Sequence, residues 1–204
     1  MIEENENNPL LMQGFFFSHP KKGGTMNTTS KTRKMIQITL LSVIAFLLMY
    51  LIEFPLLAAA PYLKYDPSQV PTLIASFAFG PMAGLIAELI KSFLFFISGK
   101  SSSGIVGVSA AFVAGGAFTV SAGFVYKYMK SKKGALISLL VGTLCMTIFM
   151  TISNKFIFLP LWGIPAEAIN GLLTSVIIPF NLIKGVLTSI ITFLLYKRIH
   201  KLLG

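Results

Sequence analysis

Asn154, Asn181 and Lys184 have the strongest claim to chemistry in this chain, because each is an amide or a cation set within a long apolar run. A charged group near the centre of a bilayer costs about 2.5–3.5 kcal/mol even on the lenient insertion scale, so it needs a partner, a wet cavity or a route to the interface. Asn181 and Lys184 are three positions apart on one helical face, and Thr188 extends that face by a turn. Lys184 has no acidic neighbour in sequence and reads as an unpaired lysine facing a bundle interior or a water-lined site. Asn154 continues a side marked every four residues by Thr143, Thr147 and Thr151. Threonines in membrane helices often bond only their own backbone, so that stripe is weak by itself. Amides and an ammonium suit recognition of carbonyls and hydroxyls rather than bond breaking.

A second group lies in the proline-interrupted stretch from Pro55 to Pro71, which packs Tyr62, Lys64, Tyr65 and Asp66 into a few residues. Such a loop suits a lid over a polar aromatic ligand. A solvated connector with tyrosines at the lipid headgroups fits its composition equally well. Glu88 and Lys91, three apart, are placed to neutralise each other as an ion pair, with Lys91 also a ligand candidate. Gly107, Ala111, Gly115, Thr119 and Gly123 form a row of small residues, which allows close approach of a helix or of a flat ligand. Trp162, the single tryptophan, reads as a headgroup anchor before a ligand contact.

Other chemistries lack their parts. No GxxxxGK[ST] phosphate loop is present, so ATP hydrolysis would need another polypeptide. His19 and His200 lie outside the apolar runs and Asp66 is the only aspartate, which argues against a Ser-His-Asp arrangement, an intramembrane histidine metal site and an enzyme. Cys145 is alone, so no internal disulfide forms.

These residues are positioned by apolar segments. The chain has 204 residues, 54% hydrophobic and 12% charged, with a net charge of +10, and its apolar runs approach or exceed the ~20 residues needed to cross a bilayer. The basic residues gather at the ends of those runs rather than along one face, which speaks for topology and against nucleic acid. Residues 1–25, polar and ending in Gly-Gly, read as a leader or appended extension, expected to lack order. Residues 26–204 form the expected substrate-binding domain, an all-α membrane bundle. Its spans are expected near 35–54, from 70 to a break at Gly80-Pro81, onward to 98, then 104–126, 134–158 and 166–196, with Pro179 as a kink. Six spans put the basic N-terminus, the 127–133 cluster and the C-terminal tail on one side, so both termini are expected in the cytoplasm of a multi-pass plasma-membrane protein. Three loops then share the outer face: the lid, 99–103 and 159–165.

IEFP at 52–55, YLKYDPSQVP at 62–71, FGPMAGLIAELIK at 79–91 and PFNLIKG at 179–185, in that order and spacing, resemble the substrate-binding S components of energy-coupling factor (ECF) vitamin transporters. The resemblance covers 26–204 and is strongest to riboflavin-specific members. It implies a six-helix bundle that binds riboflavin, as transported ligand rather than cofactor, beneath the first outer loop, with the fourth to sixth helices lining the pocket. Position by position it implies that Leu57, Tyr65 and Asp66 cover the ligand while Asn154, Asn181 and Lys184 bond its ring carbonyls or ribityl hydroxyls. It also implies partners: a transmembrane T component and two ATP-binding cassette subunits. S components commonly dock through small residues four apart on the first helix. Here Met49 follows Ala45, so Ser42, Ala45 and Met49 form the expected docking face. Two rivals stay open, an S component for another vitamin and a self-sufficient secondary transporter using Glu88 as a proton or sodium site.

Overall fold

A backbone withdrawn from water must bond to itself, so apolar runs become helices and end where proline or glycine interrupts them. The computed structural model describes residues 26–57 and 60–203. The leader expected over 1–25 lies outside the described residues. The chain divides into residues 1–33, of which only the opening of the first helix is described, and residues 34–204, which carry the rest of the first helix and the bundle.

Helix α1 is Met26–Leu51. It leads into a small antiparallel hairpin, β1 (Phe54–Pro55) with β2 (Lys64–Tyr65), pairing Phe54 with Tyr65. Next come α2 (Gln69–Phe79), α3 (Pro81–Ile97) and α4 (Gly104–Tyr128). Helix α5 joins Lys132–Ser153, a π-helical turn Asn154–Phe158 and a last turn Leu159–Leu161. Helix α6 joins Ala166–Leu172, a second π-helical turn Leu173–Ile177 and Ile178–Leu203. Among the described residues there are thus six helices, and four of them, α1, α4, α5 and α6, are long and apolar enough to cross a membrane.

The break between α2 and α3 falls where the sequence places it. Gly80 has φ of 98°, open to a residue without Cβ, and its amide closes α2 on the Ser76 carbonyl at 2.9 Å, while Pro81 opens α3 where no amide donor is needed. Helix α2 has 11 residues, about 16 Å at 1.5 Å per residue and half of a ~30 Å hydrocarbon core. Its first turn is already deep: Gln69, Val70, Pro71 and Thr72 are buried. The end of the lid is therefore drawn into the bundle instead of lying above it, and Tyr65, Asp66 and Ser68 are buried too.

Pro179 is accommodated within α6 by the π-helical turn just before it, and Pro160 stands in the same relation to the π-helical turn of α5. A proline supplies no amide to the preceding turn, and widening that turn lets the helix run on.

The small-residue row on α4 serves close packing along its inner half. A Cβ at Gly115 would overlap the Glu88 carboxylate of α3, and one at Gly123 would overlap Ser76 Oγ of α2. Its outer half, Gly107 and Ala111, lines a cavity instead. On α1 the expected docking face turns inward: Ser42 and Ala45 are fully buried and Met49 packs with Phe95 and Val108, so these three residues face the bundle. The exposed side of α1 carries Leu40, Val43, Ile44 and Leu47.

Candidate functional site

The lid is braced at both ends. Lys64 Nζ lies 2.7 Å from Glu53 Oε1 across the hairpin, and Phe54 meets the Tyr65 ring edge-on at 5.6 Å. Beyond the hairpin, Asp66 Oδ1 accepts the Ser68 amide at 3.0 Å, an Asx turn that starts the descent into α2.

From Asp66 a chain of buried charges crosses the bundle. Lys184 Nζ of α6 is 3.3 Å from Asp66 Oδ2. Lys91 Nζ of α3 donates to Ser68 Oγ at 3.2 Å and pairs with Glu88 Oε2 at 2.5 Å, and the Thr72 hydroxyl of α2 donates to Glu88 Oε1 at 2.9 Å. Two cations and two anions alternate, so the interior stays neutral while lid, α2, α3 and α6 are linked. Lys184 is therefore not unpaired; its partner comes from the lid. Burial works against ionisation of Asp66, yet Lys184, then Lys91, then the Ser68 hydroxyl and amide hold its carboxyl below the ordinary range. Burial chiefly, with the Asp66 charge, pushes the Tyr65 phenol up, opposed in part by the Thr188 hydroxyl, so Tyr65 stays protonated.

A cavity of about 120 Å³ opens beneath the lid. Tyr62, Leu63 and Asp66 roof it, Ala110, Ala111 and Ala114 of α4 form one wall, and Met150, Ile177 and Phe180 of α5 and α6 form the other. Asn154, Asn181 and Lys184 all reach it. The two asparagines are built alike. Each donates Nδ2 to the carbonyl four residues earlier, Met150 for Asn154 and Ile177 for Asn181, both at 2.8 Å. With the amide so held, Oδ1 of each receives no hydrogen bond among the described residues and is available to a donor in the cavity. Thr143, Thr147 and Thr151, by contrast, return their hydroxyls to their own helix at 2.7–2.9 Å.

The three outer loops do share one mouth, since the lid, Ser101–Ser103 and Trp162 border the same cavity. Trp162 is half-buried and meets Tyr62 edge-on at 6.2 Å across the opening. Trp162, expected first as a headgroup anchor, thus stands at the cavity mouth, and Tyr62, expected only as part of the lid, borders the cavity with it, as do Glu53 and the three serines. Their available signal was position: Tyr62 and the serines lie in loops assigned to the outer face, and Glu53 at the outer end of the first expected span. Leu57 is half-buried in the lid and does not line the cavity; neither do Tyr65 and Lys91, which stand behind its wall.

Residues 33–196 match the family described as ECF transporter, substrate-specific component. The chain is 41% identical over 179 residues to riboflavin transporter RibU of Staphylococcus aureus (strain TCH60), covering 85% of this chain and 93% of that one. It is 40% identical over 177 residues to riboflavin transporter FmnP of Bacillus subtilis (strain 168), covering 83% and 93%. Among solved structures it is similar, with a TM-score of 0.74 and 41% identity over 85% of this chain and 99% of the other, to one described as "Structure and mechanism of the S component of a bacterial ECF transporter".

Proposed function

The chain belongs to the ECF transporter substrate-specific component family, and from that premise we propose that it captures riboflavin at the outer face of the cell membrane for uptake driven by partner subunits. It is a multi-pass membrane binding subunit and not an enzyme. Energy comes from an ECF module, a T component with two ATP-binding cassette subunits, because this chain has no phosphate loop of its own.

The observation that carries the proposal is the convergence of Asn154, Asn181 and Lys184 on one lid-covered cavity. Riboflavin offers ring carbonyls, one ring N–H between two of them, and ribityl hydroxyls. Lys184 donates to a carbonyl or hydroxyl, and the two asparagine Oδ1 atoms accept from the ring N–H or from hydroxyls. The alanine wall of α4 and the Met150, Ile177 and Phe180 side chains cover the flat ring. Leu57 and Tyr65 act as structural parts of the lid, and Lys91 acts on it through Ser68. The cavity of about 120 Å³ is below the ~300–1,000 Å³ usual for a ligand of this class, so loading requires the lid to swing away from Trp162.

Tryptophan fluorescence tests riboflavin capture directly, because Trp162 is the only tryptophan and borders the cavity. Saturable quenching by riboflavin, and none by biotin or thiamine, is the expected result. Absence of quenching together with a colourless, flavin-free preparation removes riboflavin as the ligand.

A further inference from the structure

A second and larger cavity, about 480 Å³, lies at the end of the bundle away from the lid. Helix lengths create it. Gly123 of α4 packs against Pro81 at the turn between α2 and α3, and α4 continues to Tyr128, so its last five residues run roughly 7 Å past that turn. The step leaves a hollow floored by Gly80 and Pro81.

The hollow is two-sided in chemistry. Lys127 and Lys130 border it, and neither pairs with a carboxylate among the described residues. Lys34 reaches the same turn, donating to the Phe79 carbonyl at 3.2 Å. Among the described residues no acidic side chain lines the cavity. Its other border is apolar and faces outward, with Met82 61% and Phe124 48% exposed. The lysine distribution puts this end at the cytoplasmic leaflet, where anionic lipids attract basic residues. Topology alone accounts for lysines at this level. It does not account for their bordering a concave site whose remaining wall is apolar.

We propose that this cavity holds one anionic phospholipid of the inner leaflet, its phosphate against Lys127 and Lys130 and an acyl chain along Met82 and Phe124. The site is separate from the lid cavity and makes no use of the riboflavin-binding residues.

The full chain is reconstituted in nanodiscs of phosphatidylcholine with a minor share of phosphatidylglycerol, and retained lipid is counted by native mass spectrometry. Phosphatidylglycerol is expected to stay bound in preference to phosphatidylcholine, and its retention should fall at least about fivefold in Lys127→Gln/Lys130→Gln. Retention should survive in Lys127→Arg/Lys130→Arg and in the control Lys132→Gln/Lys133→Gln. Ala78→Phe, which fills the cavity without changing charge, should also release the lipid. Equal retention of the two lipids, an equal loss in the control, or retention undiminished in Ala78→Phe overturns the proposal. Displacement by inorganic phosphate at millimolar concentration assigns the site to a free anion and overturns it as well. Riboflavin titration of each variant verifies that the bundle is intact.

Discussion

Lys184 Nζ and Asp66 Oδ2 stand 3.3 Å apart although 118 positions separate them in the chain, which ties α6 to the lid by a buried ion pair. Removing one partner of such a pair strands the other charge and costs about 3–5 kcal/mol, whereas removing both is often nearly neutral. Lys184 also reaches the cavity, so it is placed to serve the lid and the ligand together.

Lys184→Met is therefore expected to lower the thermal unfolding temperature and to weaken riboflavin binding at least about tenfold, a charged hydrogen bond contributing about 1.5–3 kcal/mol. Adding Asp66→Asn should recover stability and leave binding weak. A double variant that recovers both, by thermal unfolding and fluorescence titration, would confine Lys184 to holding the lid.

The depressed Asp66 carboxyl sets a pH dependence with a defined sign. Its folded value lies below the unfolded value of about 3.9, so its contribution is complete above about pH 3.9 and lost as pH falls through the folded value. Stability and riboflavin affinity should be flat from about pH 5 to 8 and fall below about pH 4. In Asp66→Asn the part of that acid loss due to Asp66 should vanish, which unfolding midpoints across the series will measure.

Asn154→Leu and Asn181→Leu should separate binding from stability. Each asparagine bonds only a carbonyl of its own helix. Losing the Oδ1 acceptor should weaken riboflavin roughly fivefold per site, for a net hydrogen bond of about 1 kcal/mol, with little change in unfolding temperature. Titration with unchanged affinity would take that residue out of the ligand's reach.

Gly115→Ala should destabilise the bundle by about 1–3 kcal/mol, because its methyl has no room beside the Glu88 carboxylate. Gly116→Ala is the control, since its methyl would meet only Leu85 Cδ1 at 3.3 Å. Equal unfolding temperatures for the two variants would show that α3 and α4 yield more easily than their contact implies.

Tyr62→Ala removes one half of the aromatic contact across the cavity mouth. Riboflavin release, followed by recovery of Trp162 emission, should become faster, with the association rate changed less. An unchanged release rate would mean that the Tyr62–Trp162 contact does not gate the cavity.

Much of the frame was legible from residue order. Apolar runs bounded by Gly80-Pro81, Gly104 and Pro165 give the observed helices, and lysine clusters at their ends give one consistent topology. The inward polar groups Asn154, Asn181 and Lys184 stood out because an amide or a cation in hydrocarbon is costly. The face of α1 was not legible. Lipid and bundle interior both favour apolar side chains, so Ser42, Ala45 and Met49 gave no sign of which way they turn. Trp162 was ambiguous for a related reason, since a headgroup anchor and a cavity-mouth residue occupy the same depth.

Residue order by itself determined which segments leave water, where they break and which polar side chains must find company inside, because those follow from the local cost of exposing apolar surface or burying charge. Only the tertiary structure decided who the company is. Lys184 meets Asp66, Lys91 reaches Ser68, Gly115 yields to Glu88 and Tyr62 faces Trp162 because helices of unequal length pack together and draw the lid inward, and no spacing along the chain encodes those distances.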